Sequence, residues 1–198
     1  PVMRLSRSGT LGSIICFINQ KGGCGKSSTC FHLAGAFAQM GLKVLLIDAD
    51  PQGSLSQGFL GPQLVETLEA DETLAGAFDD SFAFHKPEQA VRSTSWPAIS
   101  IIPANQCLTP FNVPHPERLG LEQFALQEFL HSMPPSDITL IDCPPNLYGC
   151  SWSALLASDY VIIPIPPEDF GAQGLRVVHQ AIEHAQVLNP RLSLLGHL

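Results

Sequence analysis

The chain has 198 residues, of which 45% are hydrophobic and 14% charged, and its formal net charge is −8. This balance excludes intrinsic disorder and gives length enough for one α/β domain with a buried core. The acidic total argues against nucleic-acid binding through a globally basic surface, while leaving a local basic patch open.

Residues 1–12 carry Arg4 and Arg7 but no apolar core ending in a small-residue cleavage site. They read as a flexible lead-in and not as a signal peptide. No uncharged apolar run approaches the ~18–20 residues of a membrane span, so the expected location is cytoplasmic. Residues 13–19 form a short, apolar, β-branched strand, and residues 28–40 follow a helical pattern stopped by Gly41. A second buried strand is expected at 43–48 and a third at 99–103. Between them, residues 53–97 are rich in Gly, Pro, Ser and acidic side chains and predict short helices and exposed loops. Residues 103–116 form a second loop-rich stretch. Residues 117–133 place Leu126, Phe129, Leu130 and Met133 on one helical stripe, ended by Pro134 and Pro135. A fourth strand at 138–142, a helix at 147–157 and a fifth strand at 160–165 follow. A long helix at 171–188 and a sixth strand at 192–195 complete the pattern.

Strands that are apolar on both faces and separated by helices predict an α/β fold, a doubly wound, mostly parallel sheet with helices on both faces. Residues 13–198 are expected to form a single domain. The last strand is followed by no covering helix, so that domain is expected to be truncated at its C-terminal end.

The sharpest motif lies between the first strand and the first helix: Asn19, Gln20, Lys21, Gly22, Gly23, Cys24, Gly25, Lys26, Ser27, Ser28. Glycines let consecutive backbone N–H groups point at phosphate oxygens, and the helix N-terminus adds free amides and positive dipole. In such a loop Lys26 bridges the β- and γ-phosphates and the Ser27 hydroxyl ligates Mg²⁺. The general pattern G-x-x-x-x-G-K-[ST] is not met, because position 20 is Gln; the string is instead K-G-G-x-G-K-S, with an extra lysine at Lys21. That string resembles the deviant Walker A motif of the ParA/MinD ATPases. The resemblance implies a P-loop fold, ATP and Mg²⁺ as cofactors, and phosphate contacts from Lys21, Gly22, Gly23, Cys24, Gly25, Lys26, Ser27 and Ser28. It also implies a homodimer with ATP sandwiched between subunits, in which Lys21 reaches the partner's phosphates.

The second strand ends in Asp48-Ala49-Asp50-Pro51-Gln52-Gly53. Open parallel sheets present the C-terminal ends of their strands to the ligand crevice, which suits two carboxylates for magnesium and water. This string resembles the ParA/Soj branch, and by that resemblance Asp50 orients the attacking water while Asp48 supports the metal shell. The fourth strand ends in Asp142-Cys143-Pro144-Pro145, a Walker B arrangement whose carboxylate reaches Mg²⁺ directly or through water. Residues 163–170 resemble a family segment that passes beside the base, implying adenine contacts near Pro166 and Glu168.

The resemblance covers the chain from about residue 13 onward and implies a slow, partner-stimulated ATPase. Its leading expectation is plasmid or chromosome partitioning, with ATP-gated, non-specific DNA binding, a ParB-like activator and nucleoid association. The alternative is a MinD-like or cargo-positioning ATPase working on a membrane or protein assembly. Two further readings are a nitrogenase-iron-protein-like electron donor, for which Cys107 and Cys143 are the available pair, and a switch that binds ATP without hydrolysing it. None of the six cysteines forms a C-x-x-C pair, the histidines are scattered, and His179 and His184, five apart on a helix, have poor spacing for joint metal ligation.

Overall fold

The computed structural model describes residues 12–79, 87–166 and 172–198. In chain order the strands and α-helices are β1 (Ser13–Phe17), α1 (Lys26–Gln39), β2 (Val44–Asp48), α2 (Ser54–Leu60), α3 (Pro62–Thr67), β3 (Arg92–Ser93), β4 (Ile99–Ile102), α4 (Ala125–His131), β5 (Ile138–Asp142), α5 (Gly149–Ala157), β6 (Tyr160–Ile163), α6 (Ala172–Leu188) and β7 (Ser193–His197). One seven-stranded sheet has the order β3-β4-β2-β5-β1-β6-β7. All pairs are parallel except β3 with β4.

The apolar runs explain the layering. Every residue of β2 and β5 is buried, as expected of strands covered on both faces. Alternate side chains enter opposite cores. Ile14, Cys16, Leu45, Ile47, Ile141 and Val161 face α4, α5 and α6 through Leu126, Ala154 and Val178. Ile15, Phe17, Leu46, Ile101 and Leu140 face α1 and α2 through Cys30, Ala34 and Leu55. Among the described residues no helix is long and apolar enough to cross a membrane.

Three segments differ from the sequence expectation. Residues 117–133 are not one helix: 3-10 turns at Pro116–Arg118 and Gly120–Phe124 precede a shorter α4. Gly120 adopts φ 58°, and its carbonyl accepts a 2.6 Å hydrogen bond from the Gln123 side chain, so the left-handed residue breaks the α pattern there. Of the expected stripe, Leu126 and Leu130 are buried on α4, Phe129 is half-buried there, and Met133 is buried beyond the end of the helix. Within 53–97 the chain adds an antiparallel edge strand, β3, too short to leave a period. The last strand extends to His197 and alternates between exposed and half-buried positions, as an edge does.

Candidate functional site

The central strands bring three chain segments to one rim of the sheet. Asp48 and Asp142 are register partners at the ends of β2 and β5, and Phe17, the last residue of β1, is paired with Asp142 on its other side. The phosphate loop follows β1 directly, so it lies over this pair of carboxylates.

The loop is shaped by its glycines and anchored by Asn19. Gly23 and Gly25 adopt φ 74° and 89°, a region that favours glycine. A Cβ built on Gly22 or Gly23 meets nothing within 4 Å, so this part of the loop is bordered by open space. Asn19 Oδ1 accepts from the Lys21 amide at 3.1 Å, while Asn19 Nδ2 donates to the Pro164 carbonyl at 2.7 Å. This side chain therefore joins the loop to the segment leaving β6. Lys26 is buried, and its Nζ donates to the carbonyls of Asn19 (3.1 Å) and Lys21 (3.0 Å) and lies 3.7 Å from Cys24 Sγ. Lys21 and Ser28 are exposed, and Ser27 is half-buried at the first turn of α1.

The two rim carboxylates have different surroundings. Asp48 is fully buried and accepts from Ser56 N (2.8 Å), Ser56 Oγ (2.7 Å) and Asp50 N (3.1 Å). Ser56 Oγ accepts in turn from the Ala104 amide at 2.9 Å. Asp48 thus ties β2 to α2 and to the end of β4. Asp142 is equally buried, yet neither of its oxygens has a hydrogen-bond partner. The Ser27 hydroxyl faces it without meeting hydrogen-bond geometry. Burial pushes both carboxyls well above the ordinary carboxylate range, and at Asp142 the neighbouring Asp48 adds to this, against the pull of Ser27 and Lys26. Asp50 is half-buried and turns back to accept from the Gln52 amide at 3.0 Å.

A buried carboxylate with two unpaired oxygens, facing a serine hydroxyl beside an open loop, fits a hard cation. Among the described residues no three or more His, Cys, Asp or Glu side chains form a cage. That agrees with Mg²⁺, which takes one or two carboxylates and fills its other positions with water and phosphate oxygens. Asp48 has its oxygens engaged with protein donors, so Asp142 is the carboxylate with capacity to spare.

On the other side of the loop, Pro166 lines a cleft of about 290 Å³ with Asn19, Gln20, Lys21, Ile165 and Leu175. Glu168 lies outside the described residues. Cys143 is buried in the core, its thiol pushed up by its contact with Cys16 and by burial, while Cys107 is half-buried in the 3-10 turn Gln106–Phe111. A buried Cys143 is badly placed for a cluster shared between subunits. Sequence reasoning gave no role to Asn19 or Ser56. An Asn two residues before the Lys21 amide is a recognisable side-chain turn; Ser56 carries no local signal.

Gly53 fixes the far end of the Asp50 segment. It has φ 64°, and a Cβ there would sit 2.5 Å from the Ala104 carbonyl oxygen. Gly53→Ala is expected to cost about 2–4 kcal/mol, from left-handed strain plus overpacking against backbone. Gly41→Ala is the control, because Gly41 has φ 82° but open space around it. Urea midpoints for the two variants separate the terms; equal losses would refute the close-approach argument.

Residues 12–194 match the AAA_31 family, described as an AAA domain. The chromosome partitioning protein ParA of Myxococcus xanthus is 33% identical over 192 residues, 96% of this chain and 65% of that protein. The chromosome-partitioning ATPase Soj of Treponema pallidum is 33% identical over 187 residues, 94% of this chain and 70% of that protein. The chain belongs to the ParA/Soj family of P-loop ATPases. It spans about two thirds of the length of these curated relatives. A cobyrinic acid a,c-diamide synthase from Mycobacterium smegmatis, solved with a bound ATP analogue and magnesium, superposes with a TM-score of 0.81 at 28% identity, over 95% of this chain and 74% of that one. The ParA/Soj assignment accords with the rim geometry, in which the deviant loop and the two aspartates Asp48 and Asp142 fall on adjacent strand ends.

Proposed function

We propose that this chain is an ATP-dependent dimerising switch that acts in DNA partitioning. The observation that carries this reading is the buried, unpaired Asp142 carboxylate set beneath an open glycine loop that ends in Lys26 and Ser27. The amides of 22–28 and the N-terminus of α1 take the triphosphate, with Lys26 as its fixed cation. Ser27 and Asp142 would hold Mg²⁺, which supplies charge neutralisation at the phosphate oxygens. Asp50, half-buried and held by its turn, positions water for in-line attack. Lys21 of the second subunit meets the charge that develops on the phosphates. Ile165, Pro166 and Leu175 offer an apolar wall to the base. Nucleotide then forms part of the dimer interface, and hydrolysis removes it. The named roles of the Myxococcus xanthus and Treponema pallidum relatives support chromosome partitioning as the process, with non-specific DNA as the surface and a ParB-like protein as the activator.

A second reading, a MinD-like or cargo-positioning ATPase, is favoured by the net charge of −8. One experiment separates the two. Binding to non-specific duplex DNA and to anionic liposomes is measured with ATP, ADP or no nucleotide across a salt series. The expected result is DNA binding with ATP alone that weakens steeply as salt rises. ATP-only binding to liposomes, or binding to neither, overturns the partition reading.

A further inference from the structure

His179 and His197 are 18 residues apart in sequence, yet their Nε2 atoms lie 3.1 Å from each other. The rings are tilted by 51° with centroids 5.3 Å apart, so the nitrogens converge while the rings diverge. His179 belongs to α6, one turn beyond Leu175 of the cleft wall. His197 ends β7, in register with Ile163 at the end of β6. Backbone bonds from Leu198 N to Ile163 O (3.0 Å) and from Ile165 N to Leu198 O (2.6 Å) hold that end of β7 against the same wall.

We propose that His179 and His197 form a binding site for a divalent transition ion of the zinc class, joining α6 to β7 beside the cleft. Two metal–nitrogen bonds of about 2.0–2.1 Å span the observed separation at an angle of about 100°, near the tetrahedral value. Imidazole nitrogen suits Zn²⁺, Ni²⁺ and Cu²⁺, whereas Mg²⁺ requires oxygen donors, so this ion is chemically distinct from the one assigned to Ser27 and Asp142. The pair lies at the surface, which lets water complete the coordination. An ion held here restrains α6, and with it the Leu175 side of the cleft, against the β6–β7 edge.

Calorimetric titration of the purified protein with ZnCl₂ at pH 7.5 tests this, alongside His179→Gln, His197→Gln and, as a control on the same helix, His184→Gln. Cys107, half-buried while the other five cysteines are buried, is replaced by Ser in all samples so that thiol binding does not intrude. One zinc per chain is expected, weakened at least about tenfold in either pair variant, since losing a ligand costs no less than losing its supporting hydrogen bond. The His184→Gln protein is expected to bind as the parent does, and excess MgCl₂ is expected not to compete. The melting temperature should rise with ZnCl₂ in the parent and in His184→Gln only. Circular dichroism confirms that each variant is folded. Zinc binding that is absent from the parent, unchanged in both pair variants, or equally weakened in His184→Gln overturns the proposal.

Discussion

Lys21→Ala is expected to abolish ATP-dependent dimerisation and to lower turnover at least about a hundredfold, with ATP binding by the monomer changed only a few-fold. The separation follows from where the side chain sits. Lys21 is exposed, while the cation proposed to serve the chain's own phosphates is the buried Lys26. The backbone of Lys21 is part of the loop's framework: its amide is held by Asn19 and its carbonyl accepts from Lys26. Truncating the side chain leaves these two bonds to its backbone in place, and thermal melts read any change in stability separately from the loss of dimerisation. In the proposed mechanism the charge lost is the one that meets a second nucleotide across the interface. Light scattering with ATP and with ADP reads the dimer, and phosphate release reads turnover. A variant that dimerises and hydrolyses ATP like the parent would falsify the sandwich mechanism.

Asp142→Asn is expected to move stability and magnesium dependence in opposite directions. In the metal-free protein Asp142 is a buried carboxyl with no hydrogen-bond partner, and burial together with Asp48 raises its pKa. The folded state therefore binds its proton more tightly than the unfolded chain does. Stability is fully present below the unfolded value of about 3.9 and is lost as pH rises through the interval up to the raised folded value. An amide does not ionise, so at pH 8 the variant should be more stable than the metal-free parent by about 1–3 kcal/mol, with a flatter pH profile. Asp48, also raised, keeps part of the slope. With ATP present, Mg²⁺ should stabilise the parent and leave the variant unchanged. Thermal melts at pH 5.5 and 8, with and without Mg²⁺, supply both readouts. An unaltered magnesium response in the variant would remove Asp142 from the metal site.

The parts of this molecule that were legible in sequence share one physical property. β1, β2 and β5 are buried on both faces, so each appears as a continuous apolar run, and such a run ending in Asp48 or Asp142 marks the ligand rim. The glycine loop is equally local, since its left-handed residues and its lysines are neighbours in the chain. The parts that were not legible depend on distant partners or on broken periods. Of the expected stripe Leu126, Phe129, Leu130 and Met133, Leu126 and Leu130 are buried on α4, Phe129 is half-buried and Met133 is buried just beyond its end; the helix starts later than the period suggests, because Gly120 takes φ 58° in a segment otherwise compatible with helix. The engagement of Asp48 by Ser56 spans eight residues and depends on Ala104 as well. The convergence of His179 and His197 needs the whole turn from α6 into β7.

The five residues from 49 to 53 are fastened at both ends: at one end by Asp48 to Ser56, and at the other by Gly53, whose amide donates to the Asp50 carbonyl (2.9 Å) and whose carbonyl accepts from Gln57 N (2.8 Å). Asp50 sits in the middle of this short span, its own carboxylate already turned onto Gln52. A bridge pinned at both abutments does not sway, so in the proposed mechanism Asp50 is set before any nucleotide arrives, and little reorganisation is left for the chemical step. In the proposed dimeric switch the tempo is then governed by how often a second subunit completes the site, which makes protein concentration, and not loop motion, the clock.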